Sequence, residues 1–190
     1  LATKVGMKVG EAPEDEGTSP AAIRKHIDLS LQRLSTDYVD LYYLHRPDPG
    51  VPMVDVVAAL NREITAGKVR HYAVSNYTAQ DLAALLQTAD ENGLPRPVLH
   101  QPPYSLLTRG IEEDLLPLCQ REQVGVVPYR ILQGGLLTGK YRRGHGAPPD
   151  TRQAEKPEWV GQTSDEVYDQ LEEIDGRARA KGLTMTQYAI

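Results

Sequence analysis

"YVDLYYLH", Tyr38 to His45, is almost entirely aliphatic and aromatic and ends on an imidazole. Such a run is a strand, and its near-continuous apolar character fits burial on both faces, as in a parallel sheet covered by helices. The flanking text supports that reading. Before it, Ser19 caps a helix with Pro20 in its first turn, and Ile23, Ile27, Leu31 and Leu34 recur at helical spacing. After it, Val56, Val57, Leu60 and Ile64 line one helix face, which Gly67 closes as a C′ residue.

The same unit recurs in both directions. "LATKV" (Leu1 to Val5) is a strand ahead of an acidic loop, "GEAPEDEGTS". Downstream, "VRHYAVSN" is a strand, and Thr78 caps a helix carrying Leu82, Leu85, Leu86 and Ala89 that ends at Gly93. "VLHQ" is a short strand, Ile111 to Glu122 a helix that Pro117 can interrupt, and "VGVVPY" a fifth strand. An irregular stretch of roughly thirty residues follows; a loop that long in a compact domain is usually functional or mobile. Ser164 then opens a helix with Val167, Leu171, Ile174 and Ala178 inward, closed by Gly182, and Thr184 with Gln187 forms a capping box for one more.

Alternating strands and helices fit either a doubly wound sheet or a (β/α)8 TIM barrel. No G-x-G-x-x-G turn follows a strand, which disfavours the first. Polar groups stand at successive strand ends: Lys4, His45, Ser75 with Asn76, Gln101, and Tyr129. Barrel active sites are built at those ends, so the expected α/β architecture is the barrel. About five strands are legible against the eight of a closed barrel. Residues 1–190 are therefore expected to form one incomplete barrel domain, with N- and C-terminal parts missing.

Composition narrows the function classes. The chain has 190 residues, 40% hydrophobic and 25% charged, with net charge −5, a balance that offers no basic surface for nucleic acid or anionic membrane. No apolar run reaches the ~20 residues of a membrane span, and a single cysteine, Cys119, fits a cytoplasmic protein without an internal disulfide.

Taken singly, the candidate residues are ordinary. A strand-end lysine is usually solvated, a histidine after an apolar strand is often structural, and "SN" is a common capping turn. Cys119 lies on an apolar helix face, and the remaining histidines lack metal-ligand spacing. "QGGLLTGKY" (Gln133 to Tyr141) has the glycine and lysine spacing of a Walker A loop, but Tyr141 replaces the hydroxyl that would hold magnesium, and the text after it cannot open a helix.

Together, the blocks around these residues resemble the aldo-keto reductase family. They are "TK" at Thr3–Lys4, "SLQRLSTDYVDLYYLHRPDP" (Ser30 to Pro49), "GKVRHYAVSN" (Gly67 to Asn76), "HQPPYSLLTR", and "VGVVPYRILQGGLLTGKYRRG". The resemblance implies an NADPH-dependent oxidoreductase that reduces aldehydes or ketones. It implies Lys4 as the lysine that lowers the pKa of a proton-donating tyrosine, and His45 as the residue that orients the substrate carbonyl. It implies further that Ser75, Asn76 and Gln101 hold the nicotinamide carboxamide while Tyr129 stacks on the ring. Arg130, Ile131, Leu132, Gln133 and Gly134 would wrap the pyrophosphate, with Lys140 and Arg152 as additional phosphate contacts.

Two departures stand out. Arg130 and Ile131 replace the Ser-Pro that more often follows the stacking tyrosine. The family's aspartate and donor tyrosine precede the lysine strand, and none of the ten tyrosines sits in the matching motif, so residues 1–190 alone are expected to be inactive. Two other functions stay open: a non-catalytic, NADPH-binding regulatory subunit of the same fold, and a lyase using Lys4 as a Schiff-base nucleophile.

Overall fold

Tyr42 and Tyr43 are adjacent in sequence and point to opposite sides of a sheet. The computed structural model describes residues 1–160 and 163–190, which fall into two compact units. The first comprises Leu1–Pro102 and Ile111–Val127. Its five strands are β1 (Ala2–Val5), β2 (Val39–Leu44), β3 (Val69–Ser75), β4 (Leu99–Gln101) and β5 (Gly125–Val126). They form one parallel sheet in the order β1-β2-β3-β4-β5. Four helices connect them: α1 (Pro20–Leu34), α2 (Met53–Thr65), α3 (Ala79–Glu91) and α4 (Leu115–Arg121).

The register sorts the side chains into two faces. Val5, Leu44, Val74, His100 and Val126 occupy one row across the sheet, and Lys4, Tyr43, Ala73, Leu99 and Gly125 the row before it. Because successive strand residues alternate in direction, the first row lies under the helices and the second faces away from them. Val5, Leu44 and Val74 join Ile23, Ile27, Val57, Leu60, Leu82 and Leu85 in the helix-side core. Each such side chain contributes about 1.5–3 kcal/mol by leaving water. Tyr42 belongs to that side, and its hydroxyl donates to the Ile23 carbonyl of α1 at 3.0 Å.

The caps follow the sequence closely. Ser19 Oγ accepts from Ala22 N at 3.1 Å, Thr78 forms a capping box with Asp81, and Gly67 takes the left-handed conformation after α2. Two expectations need correction. The helix expected from Ile111 begins at Leu115, after a 3-10 turn at Gly110–Glu112, with Asp114 as its cap. Pro117 does not interrupt it, because it occupies the third helical position, where an N–H would have no intrahelical partner. The strand expected over Val124–Tyr129 is reduced to Gly125–Val126. The ladder continues through Val127 N to the His100 carbonyl at 3.0 Å, and Pro128 then has no N–H to extend it.

The second unit comprises Pro103–Gly110 and Pro128–Ile190. An isolated parallel bridge joins Pro103 to Tyr129, and a kinked 3-10 segment spans Gln133–Thr138. The stretch expected to be irregular also holds two short helices, α5 (Arg152–Glu155) and α6 (Pro157–Val160). Helices α7 (Asp165–Ala180) and α8 (Met185–Ala189) complete it, opened by Ser164 and Thr184 as expected. Leu136, Leu137, Tyr141, Val160, Leu171 and Met185 form its core. Arg143 pins the preceding loop to α7 through Asp165 (2.8 Å), Glu172 (3.2 Å) and Asp169.

His100 of β4 is fully buried on the helix side. Its Nε2 meets the Tyr77 carbonyl at 3.1 Å, while Nδ1 has no partner among the described residues. Burial pushes its pKa down to about 4, so it is neutral in the folded chain at physiological pH. An unfolded histidine titrates near 6.5, so on acidification the unfolded state takes up the proton first. The contribution of His100 is thus complete above about pH 6.5 and declines towards pH 4, by an amount on the order of 2–3 kcal/mol. Urea unfolding of wild type and His100→Gln from pH 7.5 to 4.5 should show a steeper loss for wild type; parallel curves would disprove this.

Candidate functional site

In the first unit, the C-terminal strand ends bring Lys4, His45, Ser75, Asn76 and Gln101 into one hydrogen-bonded group. Lys4 Nζ donates to Gln101 Oε1 at 2.7 Å and stands 4.0 Å above the centre of the Tyr43 ring. Ser75 Oγ donates to the Gln101 carbonyl at 2.8 Å. Asn76 Nδ2 donates to the His45 carbonyl at 2.8 Å and to Ser75 Oγ at 3.1 Å. Asn76 reaches back in this way because its backbone is left-handed, with φ 58°. Asparagine tolerates that conformation better than most residues.

The parity of the register explains the grouping. Two residues beyond the row of Lys4, Tyr43, Ala73 and Leu99 lie His45, Ser75 and Gln101, so all of them share the face turned away from the helices. Gly6, at φ 120°, leaves room beside His45: a Cβ there would lie 3.6 Å from His45 Cβ.

Electrostatics tune the group. Desolvation lowers the Lys4 pKa below the ordinary lysine value. The His45 pKa is lowered by desolvation first, then by the nearby charges of Lys4 and Arg46. Tyr43 is pushed the other way, its hydroxyl made less acidic by burial. It gives Lys4 its ring face, a cation–π contact.

In the second unit, one cleft of about 1420 Å³ is lined by Tyr129, Arg130, Ile131, Leu132, Gly134, Lys140 and Arg152. All were singled out from the sequence. Gln133 is placed differently: its Oε1 accepts from Ser105 Oγ at 3.2 Å and Thr108 Oγ1 at 3.4 Å, and it is not among the lining residues. Arg130 and Gln133 are left-handed (φ 63° and 47°), as are Gly134 and Gly135 (φ 65° and 108°). A Cβ at Gly135 would lie 3.1 Å from Lys140 Cε, so a glycine there lets the lysine fold over the backbone. Tyr141, the residue that breaks the Walker pattern, is buried, and its hydroxyl accepts from Gln153 N at 3.4 Å.

Sequence reasoning passed over Lys156 and Glu155, which also line this cleft. Lys156 follows Arg152 by one helical turn, and that spacing was the available signal. With Arg130, Lys140 and Arg152 it makes four cations against one carboxylate, a donor set suited to a pyrophosphate-bearing ligand. Tyr43 was passed over too, having the look of a plain strand residue.

The chain belongs to the aldo/keto reductase family, whose sequence model matches residues 1–190. It is 34% identical over 185 residues to a probable voltage-gated potassium channel subunit beta of Arabidopsis thaliana, covering 95% of this chain and 56% of that one. It is 33% identical over 153 residues to the L-glyceraldehyde 3-phosphate reductase of Escherichia coli K12, covering 80% of this chain and 43% of that one. The solved structure of the glycerol dehydrogenase AKR11B4 from Gluconobacter oxydans matches with TM-score 0.80 and 29% identity, over 99% of this chain and 57% of that one. The chain thus spans about half the length of the curated relatives it matches.

If Lys4 helps hold the His45 imidazole neutral, removing its charge must let protonation occur at higher pH. In Lys4→Met, the His45 midpoint followed by NMR should move upward towards the ordinary histidine value. A midpoint that stays put would leave desolvation and the Arg46 charge as the causes.

Proposed function

We propose that the polypeptide carrying these residues reduces aldehydes or ketones to alcohols with NADPH. The observation that carries the reading is the shared face of Lys4, His45, Ser75 and Gln101 at successive strand ends, with the Asn76 amide turned back onto them, in a chain of this family. When bound, NADPH supplies the hydride that reaches the carbonyl carbon.

The chain's own residues have four tasks. His45, kept neutral by burial and by the Lys4 and Arg46 charges, donates an N–H to the carbonyl oxygen. A neutral imidazole stabilises charge developing there without surrendering its proton to solvent. Lys4 presents a cation that lowers the pKa of a phenol brought beside it. Tyr43 is not that phenol, since it offers Lys4 its ring face and its hydroxyl is made less acidic. Ser75, Asn76 and Gln101 fix the nicotinamide carboxamide, and Tyr129 stacks on the ring. Arg130, Lys140, Arg152 and Lys156 hold the phosphates, with Ile131, Leu132, Gln133 and Gly134 shaping the loop. Four cations suit the pyrophosphate common to NADPH and NADH, and NADPH is the choice that the family resemblance implies.

The reading takes residues 1–190 as part of one barrel domain of a cytoplasmic enzyme, with a small carbonyl compound as partner and neither nucleic acid nor membrane. Among the described residues no helix is long and apolar enough to cross a membrane. The second reading, a non-catalytic NADPH-binding regulatory subunit, is favoured by the potassium channel subunit names among its relatives. His45 weighs against it, because binding NADPH alone requires no carbonyl-orienting imidazole.

Carbonyl-dependent NADPH oxidation by the full-length polypeptide separates the two. In the reductase case His45→Ala should lower kcat about 10²–10³-fold with little change in NADPH affinity. NADPH binding without turnover of any carbonyl tried would favour the regulatory role. Arg130→Ala and Lys140→Ala should each weaken NADPH binding about tenfold by fluorescence titration. Unchanged affinity in both would remove the phosphate assignment.

A further inference from the structure

A second cleft of about 530 Å³ opens in the first unit, on the rim next to His45. Three prolines, Pro13, Pro47 and Pro49, make its wall, and Gly6, which lies against His45, is part of its lining. Gly17 and Asp48 also line it, together with an ion pair in which Arg46 Nη2 stands 2.9 Å from Glu16.

The wall is preformed. Proline fixes its own φ, and three of them remove much of the freedom the two loops would otherwise have. Asp48 ties the loops together: its Oδ2 accepts from Thr18 N at 2.8 Å and its Oδ1 from Gly50 N at 3.1 Å. Gly17, at φ 76°, passes so close that a Cβ would collide with the Asp48 carboxylate. Asp48 is thus committed to backbone N–H groups, whereas Arg46 has Glu16 as its carboxylate partner among the described residues.

Arg46 and Glu16 are each about half exposed, at 51% and 50% of the side chain. An ion pair of that exposure contributes little to stability and exchanges readily with another anion. The guanidinium uses one Nη2 contact to Glu16, and its planar fork suits bidentate capture of a carboxylate or phosphate. Its charge already reaches the His45 imidazole. Gly6 borders both this cleft and His45, so an anion held on Arg46 would lie on the side of the site next to His45.

We infer that Arg46 is a specificity-determining residue that binds the anionic group of a short carbonyl substrate, displacing Glu16. The inference rests on the reading of His45 as the carbonyl-orienting residue. The substrate class is a small aldehyde or ketone carrying a carboxylate or phosphate a few carbons from the reacting carbon. Glu16 acts as the resident competitor, pairing with Arg46 between turnovers and opposing neutral or cationic substrates less than it opposes anions.

The test compares 4-oxobutanoate with butanal, two aldehydes of equal chain length that differ in charge, using the full-length protein and NADPH. Wild type should prefer 4-oxobutanoate, and Arg46→Gln should cut the ratio of the two kcat/KM values at least tenfold, through KM. Glu16→Gln should raise the ratio, and Arg46→Lys should restore part of it. A purely structural role for Arg46 would lower both activities together, so a ratio unchanged in Arg46→Gln overturns the inference. Glyceraldehyde 3-phosphate against glyceraldehyde then distinguishes phosphate from carboxylate as the preferred anion. If wild type turns over neither aldehyde, the reductase reading is judged separately, by turnover of any other carbonyl tried. Calorimetric binding of 4-oxobutanoate then decides the Arg46 assignment: saturable binding lost in Arg46→Gln upholds it, and no binding sinks it.

Discussion

Everything at the candidate site depends on the parallel register of the sheet. The pairing of Lys4 with Tyr43, Tyr43 with Ala73, and Ala73 with Leu99 sets which residues share a side. A slip of one residue in any strand would send its strand-end group under the helices and bring a core valine or leucine to the open face. The helix-side core enforces the register, because Val5, Leu44 and Val74 have a buried place on one side only. The arrangement of the polar strand ends is thus secured by hydrophobic side chains on the opposite face of the sheet.

The strand ends add a second level of order made of polar contacts. Asn76 links the end of β3 to the backbone after β2, and Ser75 links it to β4. Lys4 spans from β1 to β4 through Gln101. These bonds lace four strands together at one edge, where the ladder's own hydrogen bonds run out. Burial lowers the pKa of both Lys4 and His45, and at His45 the Lys4 and Arg46 charges add to that effect and favour the neutral imidazole.

Much of this was legible beforehand. Ser19, Thr78, Ser164 and Thr184 announced helix starts because capping is a local interaction, and strands β1 to β4 were found because their apolar runs are long. Misreadings occurred where tertiary context decides. The Val124–Tyr129 run has strand composition, but Pro128 cannot continue a ladder, a consequence visible only once β4 is known to be the partner. The start of α4 moved because Asp114 competed with Ile111 as the entry point. At the site, residue identities could be named one by one, whereas the bond from Lys4 to Gln101 crosses ninety-seven positions and has no local signature. Gln133 illustrates the limit best: its neighbours line the cleft, but a left-handed backbone turns its amide to Ser105 and Thr108.

The left-handed turn at Asn76 bears on how any mutational map of this protein is read. One amide group both belongs to the proposed cofactor grip and holds the His45 carbonyl, so it fixes the backbone from which the imidazole projects. Loss of Asn76 would relax two parts of the machinery at once, and a fall in turnover there could not be credited to either alone. Ser75 is coupled in the same way, its hydroxyl donating to the Gln101 carbonyl and accepting from the Asn76 amide. Aspartate at position 76 tolerates the same backbone but offers no N–H to His45, and thereby separates conformation from tether.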